Sequence, residues 1–129
     1  MKAMASSHLT VLVRVNESKP QRFIVDTGAG ATLLSPQLSA ELGLVASDVM
    51  EAGGIGGRNI AIQSVKVESL QVGPATFGQQ TLQVMDLTQL NEQFESLGEA
   101  PVAGILGAPW MKEHSVVIDM ATSTLYVRP

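Results

Sequence analysis

Short apolar runs separated by glycine, proline and polar turns constrain the fold of this chain more than any other feature. Segments 8–15 and 22–25 are apolar and β-branched, and the polar stretch 16–21 between them predicts a β-hairpin. Alternating apolar positions continue in 59–67, where the alternation slips once as at a β-bulge, and through 70–85. Many short strands joined by such turns predict an all-β sandwich or barrel.

Two short helices are expected to interrupt the strands. Ser35 and Pro36 provide a helix cap and a proline at the first helical position, and Gly43 ends the segment. Segment 109–114 opens with proline in the same way and predicts a second helix. Segment 86–100 has apolar residues at helical spacing but is polar enough that we expect a long loop with one or two turns. The chain of 129 residues should form a single domain, 1–129.

Composition excludes several classes of function. The net charge is −4 and the eight basic residues are scattered singly, so no basic stripe is present to follow a nucleic-acid backbone. Cysteine is absent, which excludes a thiol nucleophile and a cysteine-based zinc site. His8 and His114 lie in no HExxH pattern, and no serine lies in a GxSxG pattern. We therefore expect no metal, no cofactor and no nucleic-acid partner.

Two further patterns carry little information. Gly28 and Gly30 begin like a dinucleotide-binding fingerprint, but Leu33 occupies the position of its third glycine. Residues 1–10 lack the pattern of a signal peptide, and no run of 18 apolar residues exists. The compartment stays open, and a periplasmic or membrane-tethered enzyme separated from its anchor is compatible with the sequence.

A carboxylate stands at the end of an apolar strand. Residues 23–25 run directly into Asp26, which Thr27 and Gly28 follow. A carboxylate in this position costs desolvation energy unless it is paired, hydrogen-bonded or used in chemistry. Most Asp-Thr-Gly triplets are simple turns, but two other segments change this interpretation. Residues 52–57 place four glycines around one isoleucine before an alternating strand, and residues 104–107 read Gly-Ile-Leu-Gly before the second helix.

In this order, the three segments resemble the retropepsin family, the single-domain aspartic proteases of retroviruses and their bacterial relatives. That family has an apolar-apolar-Asp-Thr-Gly-Ala segment, a glycine-rich flap and an apolar-apolar-Gly segment before a short helix. The resemblance covers about residues 8–128 and implies a closed β-barrel or sandwich that is mainly β. Segments 35–42 and 86–100 are insertions relative to the viral enzymes, so the resemblance does not define the outer wall of the substrate cleft.

The resemblance also implies an aspartic endopeptidase that works as a homodimer. Peptide hydrolysis by carboxylates needs one ionised group to take a proton from water and one neutral group to polarise the carbonyl. Two carboxyls about 3 Å apart share one proton, as the known aspartic proteases do. One chain has only one Asp-Thr-Gly segment, so a two-fold axis between two Asp26 residues would complete the site. The partners implied are a second copy of the chain and an extended peptide or unfolded protein.

The resemblance assigns roles to individual residues. Asp26 is the catalytic acid and base. Thr27 ties the two active-site loops together across the axis, Gly28 brings its carbonyl to the substrate, and Ala29 completes the loop. The flap that covers the substrate consists of Gly53, Gly54, Ile55, Gly56 and Gly57. The support beneath the catalytic loop consists of Ile105, Leu106 and Gly107. A catalytically silent dimerisation or peptide-binding module is the alternative interpretation.

Overall fold

The computed structural model describes residues 2–3, 8–46, 50–53 and 59–128, and this part of the chain is mostly β. Its strands are β1 (Lys2–Ala3), β2 (Leu9–Val15), β3 (Gln21–Val25), β4 (Leu33–Leu34), β5 (Met50–Gly53), β6 (Asn59–Val67), β7 (Leu70–Val72), β8 (Ala75–Phe77), β9 (Gln80–Val84), β10 (Gly104–Leu106), β11 (Val117–Asp119) and β12 (Thr124–Tyr126). Its helices are α1 (Pro36–Glu41), α2 (Thr88–Ser96) and α3 (Ala108–Glu113). The predicted all-β class is confirmed.

The main sheet is open. Its order is β5-β6-β9-β4-β10-β3-β2-β7-β8, and β1 pairs with β2 beside this path. A closed barrel requires the two edge strands to pair with each other, and no pairing between β5 and β8 occurs among the described residues. The last two strands form a separate hairpin, β11-β12, instead of joining the sheet. The expectation of a closed barrel is therefore wrong.

The centre of the sheet has an unusual connection. Strands β3 and β4 follow each other in the chain, yet β10 lies between them, parallel to β3 and antiparallel to β4. Leu106 pairs with Val25, so β3 and β10 end at the same edge of the sheet. The residues that follow these two strands, Asp26 and Gly107, are therefore brought together.

The expected hairpins and strand segments are present. Strands β2 and β3 pair antiparallel as the predicted hairpin. The slip in the alternation of β6 coincides with a change of partner, because residues 59–62 pair with β5 and residues 63–67 pair with β9. The two halves of one long strand therefore belong to two different ladders.

The strands that lead to Asp26 are covered on both faces. Phe23, Val25 and Leu106 pack into the main core on one face. Ile24 and Ile105 face the other way, where apolar side chains of α2 and its flanking loops cover them. This two-sided burial fixes the end of β3.

Helices α1 and α3 confirm the predictions, whereas α2 corrects one. In α1 the Ser35 hydroxyl accepts a hydrogen bond from the Leu38 N–H at 3.1 Å, as a capping residue does. The segment expected to be a loop with one or two turns contains the nine-residue helix α2. Burial of Leu87 and Phe94 against the sheet stabilises this helix, and the polarity of the segment did not reveal that contact. Within the described residues, no helix has the length and apolar character needed to cross a bilayer.

Asp86 lies just before the N-cap of α2, and its contacts give a pH-dependent prediction. Its Oδ1 accepts hydrogen bonds from the Thr88 hydroxyl at 2.5 Å and from the Thr88 N–H at 2.9 Å. Both bonds lower the pKa of Asp86 below its ordinary value of 3.8, and the bond from the Thr88 hydroxyl has the larger effect. The stabilisation is therefore fully present above the ordinary value and is lost as the pH falls through the lowered pKa. Asp86→Ala should lower the free energy of unfolding by less than about 1 kcal/mol at neutral pH, because the carboxylate is exposed and solvent screens its contacts.

Urea unfolding of both proteins at neutral and at strongly acidic pH measures this effect. The difference between Asp86→Ala and the wild type should shrink in acid. Glu92→Ala, an exposed change on the same helix, is the control and should alter stability little at either pH. An Asp86→Ala effect of the same size at both pH values would contradict the claim that the ionised Asp86 carboxylate stabilises the fold.

Candidate active site

Asp26 lies where β3 leaves the sheet. Its backbone N–H donates a hydrogen bond to the Leu106 carbonyl oxygen at 3.0 Å, which fixes the residue to the end of β10. Val25 before it is buried, Asp26 itself is half-buried, and Thr27 and Gly28 are exposed. The strand thus delivers a carboxylate from the core to an accessible edge.

A tight turn orients this carboxylate. The Gly28 N–H donates to Asp26 Oδ1 at 2.9 Å, and the Ala29 N–H donates to the Asp26 carbonyl oxygen at 3.2 Å. A Cβ added to Gly28 would lie 3.3 Å from Oδ1, so glycine keeps this contact uncrowded. One carboxylate oxygen is therefore held by the loop's own backbone.

The turn after β10 packs against loop 26–32. The Ala108 N–H donates to the Ala29 carbonyl oxygen at 2.9 Å, and the buried Gly107 N–H donates to Thr32 Oγ1 at 3.1 Å. A Cβ on Gly107 would collide with the backbone of Ala31. Loop 26–32 and the turn therefore fit together only because residue 107 has no side chain.

The structure brings together most of the residues that the sequence predicted for this loop. Asp26 and Ala29 are hydrogen-bonded to Leu106 and Ala108, and Ala29 also packs against the cluster that contains Ile105. Sequence reasoning missed Thr32 and Ala108. A threonine after a run of glycine and alanine was the available signal for Thr32, whereas Ala108 contributes only its backbone.

The predicted flap is described only in part. Gly53 is the last residue of β5 and pairs with Asn59 at the start of β6, so the two arms of a hairpin are present. Gly54, Ile55, Gly56 and Gly57 lie outside the described residues. Their role as a flap therefore stays a prediction.

Other features of the surface lie away from Asp26. A groove of about 850 Å³ opens at the other end of β3, between Gln21 and Arg22, α1 and α2. Loop 26–32 contributes none of its lining residues. In the part of the chain that the structure describes, no three histidine, aspartate or glutamate side chains gather as ligands for a metal ion would.

The sequence of this chain matches a known protein family. The family model described as Aspartyl protease matches residues 11–110, which include Asp26 and Gly107. No curated protein sequence matches the chain significantly.

Solved structures show the same fold. The retroviral protease-like domain of Ddi1 from Leishmania major is 16% identical with a TM-score of 0.68, covering 98% of this chain and 90% of that one. A retropepsin-like aspartic protease from Rickettsia conorii is 17% identical with a TM-score of 0.65, covering 97% of this chain and 92% of that one. EIAV protease in complex with the inhibitor HBY-793 is 21% identical with a TM-score of 0.59, covering 88% of this chain and 93% of that one.

The fit between Gly107 and loop 26–32 gives the next prediction. Gly107→Ala should lower the free energy of unfolding by about 3 kcal/mol, because the new methyl group must displace the Ala31 backbone. Gly30→Ala is the matched control in the same loop, since a Cβ there meets no atom within 4 Å, and should change stability by less than about 0.5 kcal/mol. Equal effects of the two substitutions in urea unfolding would contradict the proposed close fit.

Proposed function

Because the chain belongs to the aspartyl protease family and has the retropepsin-like fold, we propose that it is an aspartic endopeptidase whose catalytic group is Asp26. The observation that carries this proposal is the accessible carboxylate at the end of a buried strand, oriented by the Gly28 N–H. The carboxylate is thus held in position and is also open to a substrate.

We propose that two chains share one site. A single carboxylate cannot serve as ionised base and neutral acid at once, and the Asp-Thr-Gly segment occurs once in the 129 residues. A two-fold axis beside the exposed loop 26–28 would bring two Asp26 carboxyls together. Exposure of Thr27 and Gly28 supports this arrangement, because a partner must reach them. Residues 1–129 would then form one protease domain in each protomer.

In the reaction, one Asp26 carboxylate takes a proton from a water molecule that attacks the scissile carbonyl carbon. The protonated Asp26 of the other chain donates a hydrogen bond to the carbonyl oxygen and later supplies the proton for the leaving amine. The chain's own backbone donor to Asp26 keeps the carboxyl in position, so little reorganisation is needed during proton transfer.

The substrate proposed is an extended peptide or an unfolded protein segment. The β5-β6 hairpin arms provide strands to which an extended peptide can add by main-chain hydrogen bonds. Closure of residues 53–57 over the peptide, with Gly28 receiving it from the other side, completes the proposed cleft.

Asp26→Asn tests the proposed function. The amide keeps the size of the side chain but cannot act as acid and base, so kcat/KM on an unstructured protein should fall by about a thousandfold or more. Thermal stability should stay close to that of the wild type, since the contact with the Gly28 N–H survives.

Asp119→Asn is the matched control. Asp119 Oδ1 accepts hydrogen bonds from Ala121 and Thr122 in an exposed turn, so its replacement should leave turnover unchanged. Turnover that survives Asp26→Asn would refute the mechanism. A wild type that binds peptides without cleaving them would identify a silent binding module instead.

A further inference from the structure

Helix α2 covers the face of β3 on which Ile24 lies. Side chains two residues apart on a strand share a face, so Ile24 lies on the face that leads to Asp26. Ile24 is only 2% exposed because Phe94 of α2 and Val102 pack on it. The apolar surface beside the carboxylate is therefore already occupied by the chain itself.

The same helix reaches the neighbouring strand. Leu9 pairs with Val25, so His8 lies opposite Asp26 when the register is continued by one residue. The Phe94 ring contacts the His8 ring edge-on at 5.7 Å between centroids. The second half of α2 therefore lies next to the row of residues that contains Asp26.

The direction of α2 follows from its contacts. Its beginning packs through Leu87 on Leu33 and Ile105, which belong to β4 and β10, and Phe94 lies over β3 and beside His8. The helix axis thus runs across β10 and β3, alongside the edge of the sheet where both strands end. A peptide that passes Asp26 along this edge runs parallel to α2.

A side-chain clamp holds the helix in this position. Asn91 Oδ1 accepts a hydrogen bond from the Val102 N–H at 2.8 Å, and Asn91 Nδ2 donates to the Val102 carbonyl oxygen at 3.1 Å. Val102 precedes β10, so the clamp joins α2 to the strand beneath the catalytic loop. These two hydrogen bonds therefore fix α2 to the segment before β10.

The two flanks of α2 face different parts of the molecule. One flank borders the 850 Å³ groove at the start of β3 and consists of Thr88, Asn91, Glu92 and Glu95. The opposite flank, at four-residue spacing, lies away from this groove, on the side toward the end of β3. It consists of three exposed side chains, Gln89, Gln93 and Leu97.

The flanks also differ in charge. Glu92 and Glu95 place two acids on the groove side, whereas the flank toward Asp26 is uncharged and ends in Leu97, which is 52% exposed. An exposed leucine at the end of a polar ridge is suited to contact an apolar side chain, and glutamine amides are suited to contact a peptide backbone.

We propose that Gln89, Gln93 and Leu97, which we call the α2 ridge, form the wall of the substrate cleft and select the side chains next to the scissile bond. The ridge favours uncharged substrate residues, with an apolar one against Leu97. This inference rests on the proposed protease function, and it names the substrate preference of the same site. None of the three residues takes part in the chemistry itself.

Two substitutions that raise the charge equally on opposite flanks test the proposal. Gln93→Lys adds a positive charge and Glu95→Gln removes a negative one, so each raises the net charge of α2 by one. Purified variants are assayed on peptides that carry either glutamate or lysine at each position flanking the scissile bond. Gln93→Lys should shift the ratio of kcat/KM values toward the glutamate peptide by about fivefold, and high salt should reduce this shift. Glu95→Gln should leave the ratio unchanged.

A second variant tests the apolar end of the ridge. Leu97→Ala should lower the preference for leucine over alanine in the substrate by about tenfold. Leu12→Ala, another exposed leucine, lies about 14 Å along β2 from His8 and should not change it. Ratios between two peptides do not depend on the fraction of folded enzyme, so a loss of stability cannot imitate this result.

The outcomes separate the two proposals. Ratios that Gln93→Lys and Leu97→Ala leave unchanged, with wild-type cleavage intact, would overturn the role of the α2 ridge alone. A shift of equal size in Glu95→Gln would also overturn it, because only a general charge effect would remain. Absence of Asp26-dependent cleavage by the wild type would overturn the proposed function, and with it the ridge.

Discussion

The passage of β10 between β3 and β4 is the constraint on which the rest of the structure depends. It forces loop 26–32 to bridge the end of a strand that lies directly beneath it. The close approach is possible because Gly107 has no side chain to meet the Ala31 backbone. Hydrogen bonds from Asp26 to Leu106 and from Gly107 to Thr32 then fix the position of the carboxylate.

Local signals in the sequence predicted a large part of the fold. Ser35 and Pro36 marked α1 because capping chemistry acts over only four residues, and the turn between β2 and β3 was equally local. The open sheet could not be predicted in this way, because strand order depends on pairings between residues far apart in the chain. Helix α2 was predicted as a loop for the same reason, because its burial depends on contacts with the distant residues Ile24 and Ile105.

The site shows the same division. Asp26, Gly28 and Gly107 could be predicted because the segments that contain them occur in the order typical of the retropepsin family. Thr32 was missed because its hydroxyl has a partner 75 residues away. Sequence periodicity could not predict where the uncharged flank of α2 lies, because only the packed helix shows that the acidic flank borders the groove. In our proposal, segment 86–100 borders the cleft, and the acidic side of α2 faces the groove at the start of β3 instead of the substrate.

The central claim is that two Asp26 carboxyls from two chains form one catalytic site. Wild-type and Asp26→Asn chains can be unfolded together in varying proportions, refolded, and assayed at constant total protein. If each site needs both carboxyls, an equal mixture should retain about one quarter of the wild-type activity, since about one quarter of the dimers have two intact chains. Retention of about one half, with activity proportional to the wild-type fraction throughout, would show that each chain acts alone and would contradict the shared site.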